Sequence, residues 1–178
     1  AYAIRTTNKR KFLIMNVTIF PSSLKGTLQI PGSKSAMQRA VALAMLHNGK
    51  TILSQPGISH DDKAALDIAE TLGATINSLP DNKLEIIGSK AFQPSAEEYN
   101  KAESLTINCG ESGLSMRMFT PIAALYPTPL SITRTGSLLK RPMDFYVDLL
   151  PKLGITIQSN EGKAPLHLED KVVPTGIE

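Results

Sequence analysis

Three sequence segments occur twice in this chain, and this internal repeat constrains the fold more than any other feature. The segments are an alanine-rich run, a Leu-Gly turn and a short apolar triplet, at 39–46, 72–76 and 84–86 and again at 117–125, 153–157 and 166–168. The offset between the copies is 78 residues at the first segment, 81 at the second and 82 at the third. Because both order and spacing are kept, we predict two copies of one supersecondary unit in tandem.

Each copy has the pattern of helix, strand, helix, strand and strand, which predicts an α/β protein. The first helix of the first copy has apolar residues at helical spacing: Met37, Ala40, Val41, Ala44 and Met45. After a strand at 51–53, Ser59 and Asp62 predict the capped start of a second helix, which Gly73 ends. Residues 74–76 and 84–87 then predict a hairpin across a polar turn.

The second copy differs from the first in its prolines. Pro121 lies inside the predicted first helix, which it should kink or shorten because an interior proline removes a backbone hydrogen bond. Pro142 opens the predicted second helix at a position that tolerates proline. The apolar face of that helix is formed by Met143, Tyr146, Leu150 and Leu153. We assign 28–102 to the first unit, with a connector at 88–102, and 103–178 to the second.

The positive charge of the chain lies ahead of the repeat. The net charge of +3 and the pI of about 9.0 suggest a polyanionic partner. However, Arg5, Lys9, Arg10 and Lys11 all lie in the first twelve residues, and the rest of the chain has 15 basic and 16 acidic residues. We therefore expect a leader at 1–14, and the charge is weak evidence for nucleic-acid binding. Residues 15–27 are expected to be a strand segment.

Several classes of protein are excluded by composition. The single Cys109 permits neither an intramolecular disulfide nor a cysteine-based zinc site. No apolar run approaches the ~20 residues of a membrane span, and the run at 12–15 is too short for a signal peptide. We expect a soluble, cytoplasmic protein without membrane partners. Cys109 has no nearby histidine in the sequence, so it is interpreted as a packed core thiol.

The densest set of chemically useful residues is Pro31-Gly32-Ser33-Lys34-Ser35, followed by Arg39. A strand at 28–30 is predicted to end there and a helix to begin, so free backbone N–H groups, two hydroxyls and a lysine meet at one place. Arg39 lies one turn further along and can face the same place. The pattern predicts a phosphate or carboxylate site, although a serine-capped helix with solvent-facing cations fits the same residues. It lacks the second glycine and the spacing of a nucleoside-triphosphate P-loop.

The second copy carries similar residues at the matching place. Gly113 precedes a predicted helix start and allows close approach of a ligand, and Arg117 occupies the position of Arg39. Lys140-Arg141 is a third cationic point before the next helix. Each has an alternative interpretation without a ligand: Gly113 as a turn glycine, Arg117 as part of a surface or inter-copy salt bridge, and Lys140-Arg141 as a solvated pair at a helix start. His60 and its two neighbouring aspartates are weaker candidates, because three adjacent residues cannot all face one metal.

Taken together, three ordered motifs resemble those of the enolpyruvyl transferases, and among them the enzymes that act on shikimate-3-phosphate. The motifs are 31–35 followed by Arg39-Ala40, the glycine-rich turn from Gly113 to Met116-Arg117, and Arg141-Pro142. The resemblance runs from about Val17 to the C-terminus. Relatives that use UDP-N-acetylglucosamine have a different, asparagine-containing lysine motif and are disfavoured. The implied fold is an inside-out α/β barrel, in which three such units make one globule.

The resemblance also implies a reaction and residue roles. The family transfers the enolpyruvyl group of phosphoenolpyruvate to the 5-hydroxyl of shikimate-3-phosphate and releases phosphate, a step of aromatic amino-acid biosynthesis that needs no metal or cofactor. The implied shikimate-3-phosphate ligands are Lys34, Ser35 and Arg39. The implied phosphoenolpyruvate ligands are Lys34, Gly113 and Arg141, with Arg117 as a further possibility. Lys34 and Asp62 are the expected catalytic residues, with the carboxylate orienting the lysine motif.

The chain departs from the family in sequence and in length. Glu111 and Leu114 stand where the family often has Asn and Thr. Family members exceed 400 residues in two globules, with the active site between them, so we expect this chain to be an N-terminal fragment with two of three units. Alone it should be inactive, its missing partner being its own C-terminal half, and the full-length enzyme should be a monomer. The alternative function is a non-catalytic α/β module that binds nucleic acid or another anion.

Overall fold

The computed structural model describes residues 20, 21, 23, 25–92 and 104–171. The chain divides into two units, 1–30 and 31–178, and every helix and strand given below lies in the second. None of the described helices is long and apolar enough to cross a membrane.

The first copy contains five elements in the predicted order. They are α1 (Lys34–Leu46), β1 (Lys50–Ser54), α2 (His60–Thr71), β2 (Thr75–Leu79) and β3 (Lys83–Ile87). Both β1 and β2 pair with β3 in antiparallel register, so the sheet has the order β1-β3-β2. A 3-10 helix, Lys90–Phe92, follows, and the rest of the predicted connector, from residue 93, lies outside the described residues.

The second copy repeats this arrangement with one additional strand. It contains β4 (Leu105–Asn108), α3 (Gly113–Ala123), β5 (Leu130–Thr133), the 3-10 helix Gly136–Lys140, α4 (Asp144–Leu149), the 3-10 helix Leu150–Leu153, β6 (Ile155–Asn160) and β7 (Lys163–Lys171). The sheet has the order β4-β5-β7-β6, in which β4 is parallel to β5 and the other pairs are antiparallel. Since β5-β7-β6 matches β1-β3-β2, the predicted repeat and the α/β class are confirmed.

The strand predicted at 28–30 is not formed. This segment has no strand assignment, and Leu28 and Ile30 are 83% and 72% exposed. A strand is defined by hydrogen bonds to a neighbouring strand, and an apolar triplet alone does not provide them. The described residues of the predicted strand segment 15–27 likewise carry no strand, and its other residues, like the leader 1–14, lie outside the described part.

The prolines of the second copy act as backbone chemistry requires, with one correction. Helix α3 contains Pro121 and has 11 residues against 13 in α1, as predicted. Pro142, however, precedes α4 rather than opening it, and the predicted helix is split. The α-helix gives way to a 3-10 turn around Pro151, which has no N–H for an α-helical bond. Leu153 is consequently 48% exposed instead of lying on the buried face.

One hydrophobic core joins the two copies. Its cluster contains Val41 and Met45 from α1, Ile68 from α2, and Phe119 and Ile132 from the second copy, all at most 1% exposed. Cys109 belongs to the same cluster and is fully buried, as predicted. Burial raises the pKa of its thiol to about 12, and the Arg134 charge opposes this effect. The shared core fixes the helix starts of the two copies relative to each other.

Candidate functional site

The first helix start places Lys34 beside an aspartate of the next helix. Ser33 is the N-cap of α1, and its Oγ accepts a hydrogen bond from the Ala36 N–H at 3.4 Å. The Lys34 Nζ lies 2.7 Å from Asp61 Oδ2, and its side chain is 54% exposed. The hydrogen bond with Asp61 and the charge of that carboxylate raise the pKa of Lys34. Lys34 is therefore a cation that is oriented and yet open to solvent.

The adjacent aspartate, Asp62, is buried at the start of α2 and caps that helix. Asp62 is 2% exposed, and its Oδ2 accepts hydrogen bonds from the Ser59 N–H at 2.9 Å and the Ser59 hydroxyl at 2.7 Å. Its own N–H donates to Ser59 Oγ, which completes the predicted capping box of α2. A side chain at Gly57 would overlap this carboxylate. The direct contact with Lys34 is made by Asp61, and the charge of Asp62 also raises the pKa of Lys34, so the catalytic role expected of Asp62 stays a prediction.

Arg39 is turned back toward the start of the same helix. Its Nη1 donates to the Ser35 backbone oxygen at 3.2 Å, one helical turn earlier. Both residues are exposed. The structure thus brings Arg39 to Ser35, as the spacing predicted. A cavity of about 290 Å³ adjoins the helix start, but Lys34, Ser35 and Arg39 are not among its lining residues, which are Gly32, Ser33, Ala36, Met37, Ala40 and residues 53–57.

The second helix start brings Gly113 and Arg141 together. Ser112 is the N-cap of α3, and its Oγ accepts a hydrogen bond from the Ser115 N–H at 3.1 Å. A methyl group built on Gly113 would lie only 2.8 Å from Arg141 Nη1. A guanidinium therefore lies directly over the first residue of the helix, where backbone N–H groups are free. This combination of a helix start and a cation is suited to an anion.

Gln38 connects the two helix starts, and the sequence analysis did not single it out. It is fully buried, and its Oε1 accepts hydrogen bonds from the Ser112 hydroxyl at 2.9 Å and the Ser115 hydroxyl at 3.1 Å. The Nε2 of the same amide is buried without a hydrogen-bond partner among the residues of 25–92 and 104–171. The available signal was a glutamine on the apolar face of α1, beside Met37 and Val41. Gln38 fixes the start of α3 to the helix that carries Lys34 and Arg39.

The two remaining candidates, Arg117 and His60, lie outside the two helix starts described above. Arg117 is exposed on α3, and its backbone oxygen accepts a hydrogen bond from the Tyr146 hydroxyl at 2.6 Å. Burial raises the pKa of Tyr146, and the Arg117 charge opposes this effect. A larger cavity of about 400 Å³ lies between α2 and β4 and includes His60, Lys63 and Asn108 among its lining residues. It contains none of the residues predicted for the anion site.

The fold has known structural relatives. It superimposes on EPSP synthase from Acinetobacter baumannii with a TM-score of 0.68 and 24% sequence identity, over 81% of this chain and 32% of the other. The fold class is therefore that of a partial enolpyruvyl transferase, as the sequence motifs predicted.

The sequence relationships are more specific. Residues 20–177 match the family model of EPSP synthase, 3-phosphoshikimate 1-carboxyvinyltransferase, and the chain belongs to this family. It is 35% identical over 157 residues to the 3-phosphoshikimate 1-carboxyvinyltransferase of Clostridium beijerinckii, covering 88% of this chain and 36% of the relative. The corresponding values for the enzyme of Clostridioides difficile are 34% over 161 residues, 89% and 37%. The chain spans about a third of the length of these curated relatives.

Proposed function

We propose that this chain provides the anion-binding part of an active site that transfers the enolpyruvyl group of phosphoenolpyruvate to shikimate-3-phosphate. The observation that carries the proposal is the connection of two cationic helix starts, Lys34 on α1 and Gly113 with Arg141 on α3, through the buried Gln38. Both substrates are anions, and preorganised cations and helix N–H groups are the chemistry that holds them.

In this proposal each helix start holds one substrate. Ser35 and Arg39 bind shikimate-3-phosphate, the Gly113 backbone and Arg141 bind phosphoenolpyruvate, and Lys34 contacts both. The 5-hydroxyl loses its proton and adds to C2 of the enol while C3 takes up a proton. C3 then gives up a proton as phosphate leaves the tetrahedral intermediate, which restores the enol double bond. Lys34, whose pKa is raised by Asp61, offsets the charge of the phosphate that leaves.

The remaining catalytic groups are assigned to the part of the relatives that this chain does not span. By resemblance, that part supplies the acidic residues that move the proton at C3 and further cations. We propose that 28–102 and 103–178 are two of three units of one globule, with 15–27 linking to the other globule and 1–14 a leader. We place the reaction in the cytoplasm and propose a monomeric full-length enzyme, with no metal or cofactor.

A binding experiment on this chain tests the proposal. Inorganic phosphate, shikimate-3-phosphate and phosphoenolpyruvate are titrated separately into the isotope-labelled chain, and backbone amide shifts are followed by NMR. We expect the first two to shift Ser35 and Arg39, and phosphoenolpyruvate to shift Gly113. Lys34→Met should weaken all three responses, whereas Lys83→Met, which removes a half-buried lysine of β3 that is 4.0 Å from Asp81, should change none.

Two results would contradict the proposal. Equal responses of the Lys34→Met and Lys83→Met variants would remove Lys34 from the site. Release of phosphate from the two substrates by this chain alone would show that the missing catalytic groups are not needed, since we expect no turnover without them.

The competing hypothesis is a non-catalytic module that binds nucleic acid, and the basic residues of 1–14 are the observation in its favour. Retention of RNA by the whole chain and by a variant without residues 1–14 is compared across a range of salt concentrations. We expect removal of these residues to abolish retention. A truncated chain that still binds with a steep salt dependence would favour the module, because that dependence reports phosphate contacts by the folded body.

A further inference from the structure

The 3-10 helix Gly136–Lys140, called here the 136–140 turn, leads directly into Arg141 and is held at both ends by charged residues from elsewhere. At its start, Glu111 Oε2 accepts hydrogen bonds from the Ser137 N–H at 3.2 Å and the Ser137 hydroxyl at 3.0 Å. Gly136 has a φ of +56°, and a side chain there would overlap the Glu111 carboxylate. The acidic residue that departs from the family pattern is thus used to hold this turn.

Arg134 holds the other end. Its Nη1 donates to the Arg141 backbone oxygen at 2.6 Å, and its Nη2 donates to the Leu139 backbone oxygen at 3.2 Å. The residue is only 4% exposed, and its Nε is buried without a hydrogen-bond partner in the described part of the chain. Arg134 forms no salt bridge with a carboxylate of the described residues.

A buried arginine of this kind requires an explanation. Removing a guanidinium from water costs free energy, and burial accordingly lowers the pKa of Arg134. An apolar residue would fill the same space without that cost. The arginine supplies what an apolar residue cannot, namely two donors for carbonyl groups at the end of a helical turn. The two charges also match the dipole of the turn, because the Glu111 carboxylate lies at its amino end and the Arg134 guanidinium at its carboxyl end.

The consequence is felt at Arg141. Its backbone oxygen is held by Arg134, and its N–H donates to the Leu138 oxygen at 3.0 Å, so both backbone groups of the residue are fixed. Its guanidinium lies over Gly113. We infer that Glu111 and Arg134 are a pair of positioning residues that hold the 136–140 turn at its two ends and so keep Arg141 over the α3 helix start. The choice of phosphoenolpyruvate as the ligand rests on the proposed function, whereas the positioning of Arg141 does not.

The geometry is tested first in the chain without ligand. Nuclear Overhauser contacts between the α-protons of Gly113 and the guanidinium protons of Arg141 are measured in the wild type and in four variants. We expect the contact in the wild type, its loss in Arg134→Met and Glu111→Ala, and its recovery in Glu111→Gln, which keeps an oxygen acceptor for Ser137. Glu161→Ala, which removes an 84% exposed carboxylate beside Lys163, is the matched control and should keep the contact.

Binding then separates positioning from general structural damage. In Arg134→Met and Glu111→Ala, the affinity for phosphoenolpyruvate should fall at least about tenfold, the equivalent of one charge-assisted hydrogen bond. The phosphate-induced shift of Ser35 in α1 should stay unchanged. Persistence of the Gly113–Arg141 contact in both variants would overturn the inference, as would equal losses at the two helix starts.

The two proposals fail in different ways. If the wild type binds neither phosphoenolpyruvate nor phosphate, the proposed function is wrong, while the contact in the free chain still decides the inference. If Arg134→Met does not fold, the comparison of Glu111→Ala with Glu111→Gln decides it, because that side chain is exposed and its removal leaves the core intact.

Discussion

Replacing Gln38 by leucine tests whether the buried amide holds the two helix starts together. Leucine has a similar volume but offers no acceptor to the hydroxyls of Ser112 and Ser115. Both O–H donors would lose their acceptor. Ser112 Oγ would still accept the hydrogen bond from the Ser115 N–H, whereas the hydroxyl of Ser115 would lose the hydrogen bond that it makes to Gln38. The substitution perturbs the polar connection while changing little of the packing.

The size of the effect follows from these groups. Two hydrogen bonds contribute about 1 kcal/mol each, and a hydroxyl left unpaired in the core costs about 1–3 kcal/mol. Removal of the Gln38 Nε2, which is already unpaired within the described residues, offsets part of this loss. We expect Gln38→Leu to lower the free energy of unfolding by about 1–2 kcal/mol. We expect Ser115→Ala to restore most of it in that background, because the orphaned hydroxyl is then gone.

Urea denaturation followed by far-UV circular dichroism measures the four members of this double-mutant cycle. In the wild-type background Ser115→Ala should cost about 1 kcal/mol, and in the Gln38→Leu background it should be stabilising. The reasoning is refuted if Gln38→Leu leaves stability unchanged, or if the double variant is as unstable as the sum of the two single variants.

Three further predictions concern charge and backbone. Asp61→Asn should lower the pKa of Lys34, and an NMR titration of the lysine side chain that is unchanged in this variant would contradict the prediction. Because the ion pair raises the pKa of Lys34 above 10.5 in the folded chain, its stabilising effect is complete below pH 10.5 and is lost as the pH rises through the folded pKa. Gly113→Ala should leave urea stability unchanged or slightly higher, yet weaken phosphoenolpyruvate binding, because the added methyl displaces Arg141; unaltered binding would contradict the close approach. The buried Cys109 thiol ionises more readily once the chain is unfolded, so it should contribute a loss of stability on the order of 4 kcal/mol between about pH 9 and pH 12. Cys109→Ala should remove this contribution, and identical curves of urea stability against alkaline pH for the variant and the wild type would contradict the prediction.

The features predicted from sequence were those with local signals. The capping box of α2 is written in four consecutive residues from Ser59 to Asp62, and the shortening of α3 is written in Pro121. The repeat was visible because both copies keep the same order of elements. The pairing of Gly113 with Arg141 was predicted only through resemblance, since no local pattern joins residues 28 positions apart.

The features that were missed depend on direction or on distant partners. Asp61 and Asp62 are adjacent, and successive residues of a helix point about 100° apart, so spacing alone could not decide which one faces Lys34. The partners of Gln38 are 74 and 77 residues away, and no short-range pattern reports such a contact. The strand predicted at 28–30 was wrong for a related reason, because an apolar triplet does not specify a pairing neighbour.

The hydrophobic core that the two copies share determines how the chain unfolds. In solenoid proteins each repeat contacts its neighbours through a thin interface, so copies can be added or removed almost independently. Here Val41, Met45, Phe119 and Ile132 belong to one cluster. The two copies should therefore unfold together in a single transition, and a chain cut between them would expose apolar surface on both pieces. Duplication has produced one indivisible body, in which a change to either copy alters the stability of both.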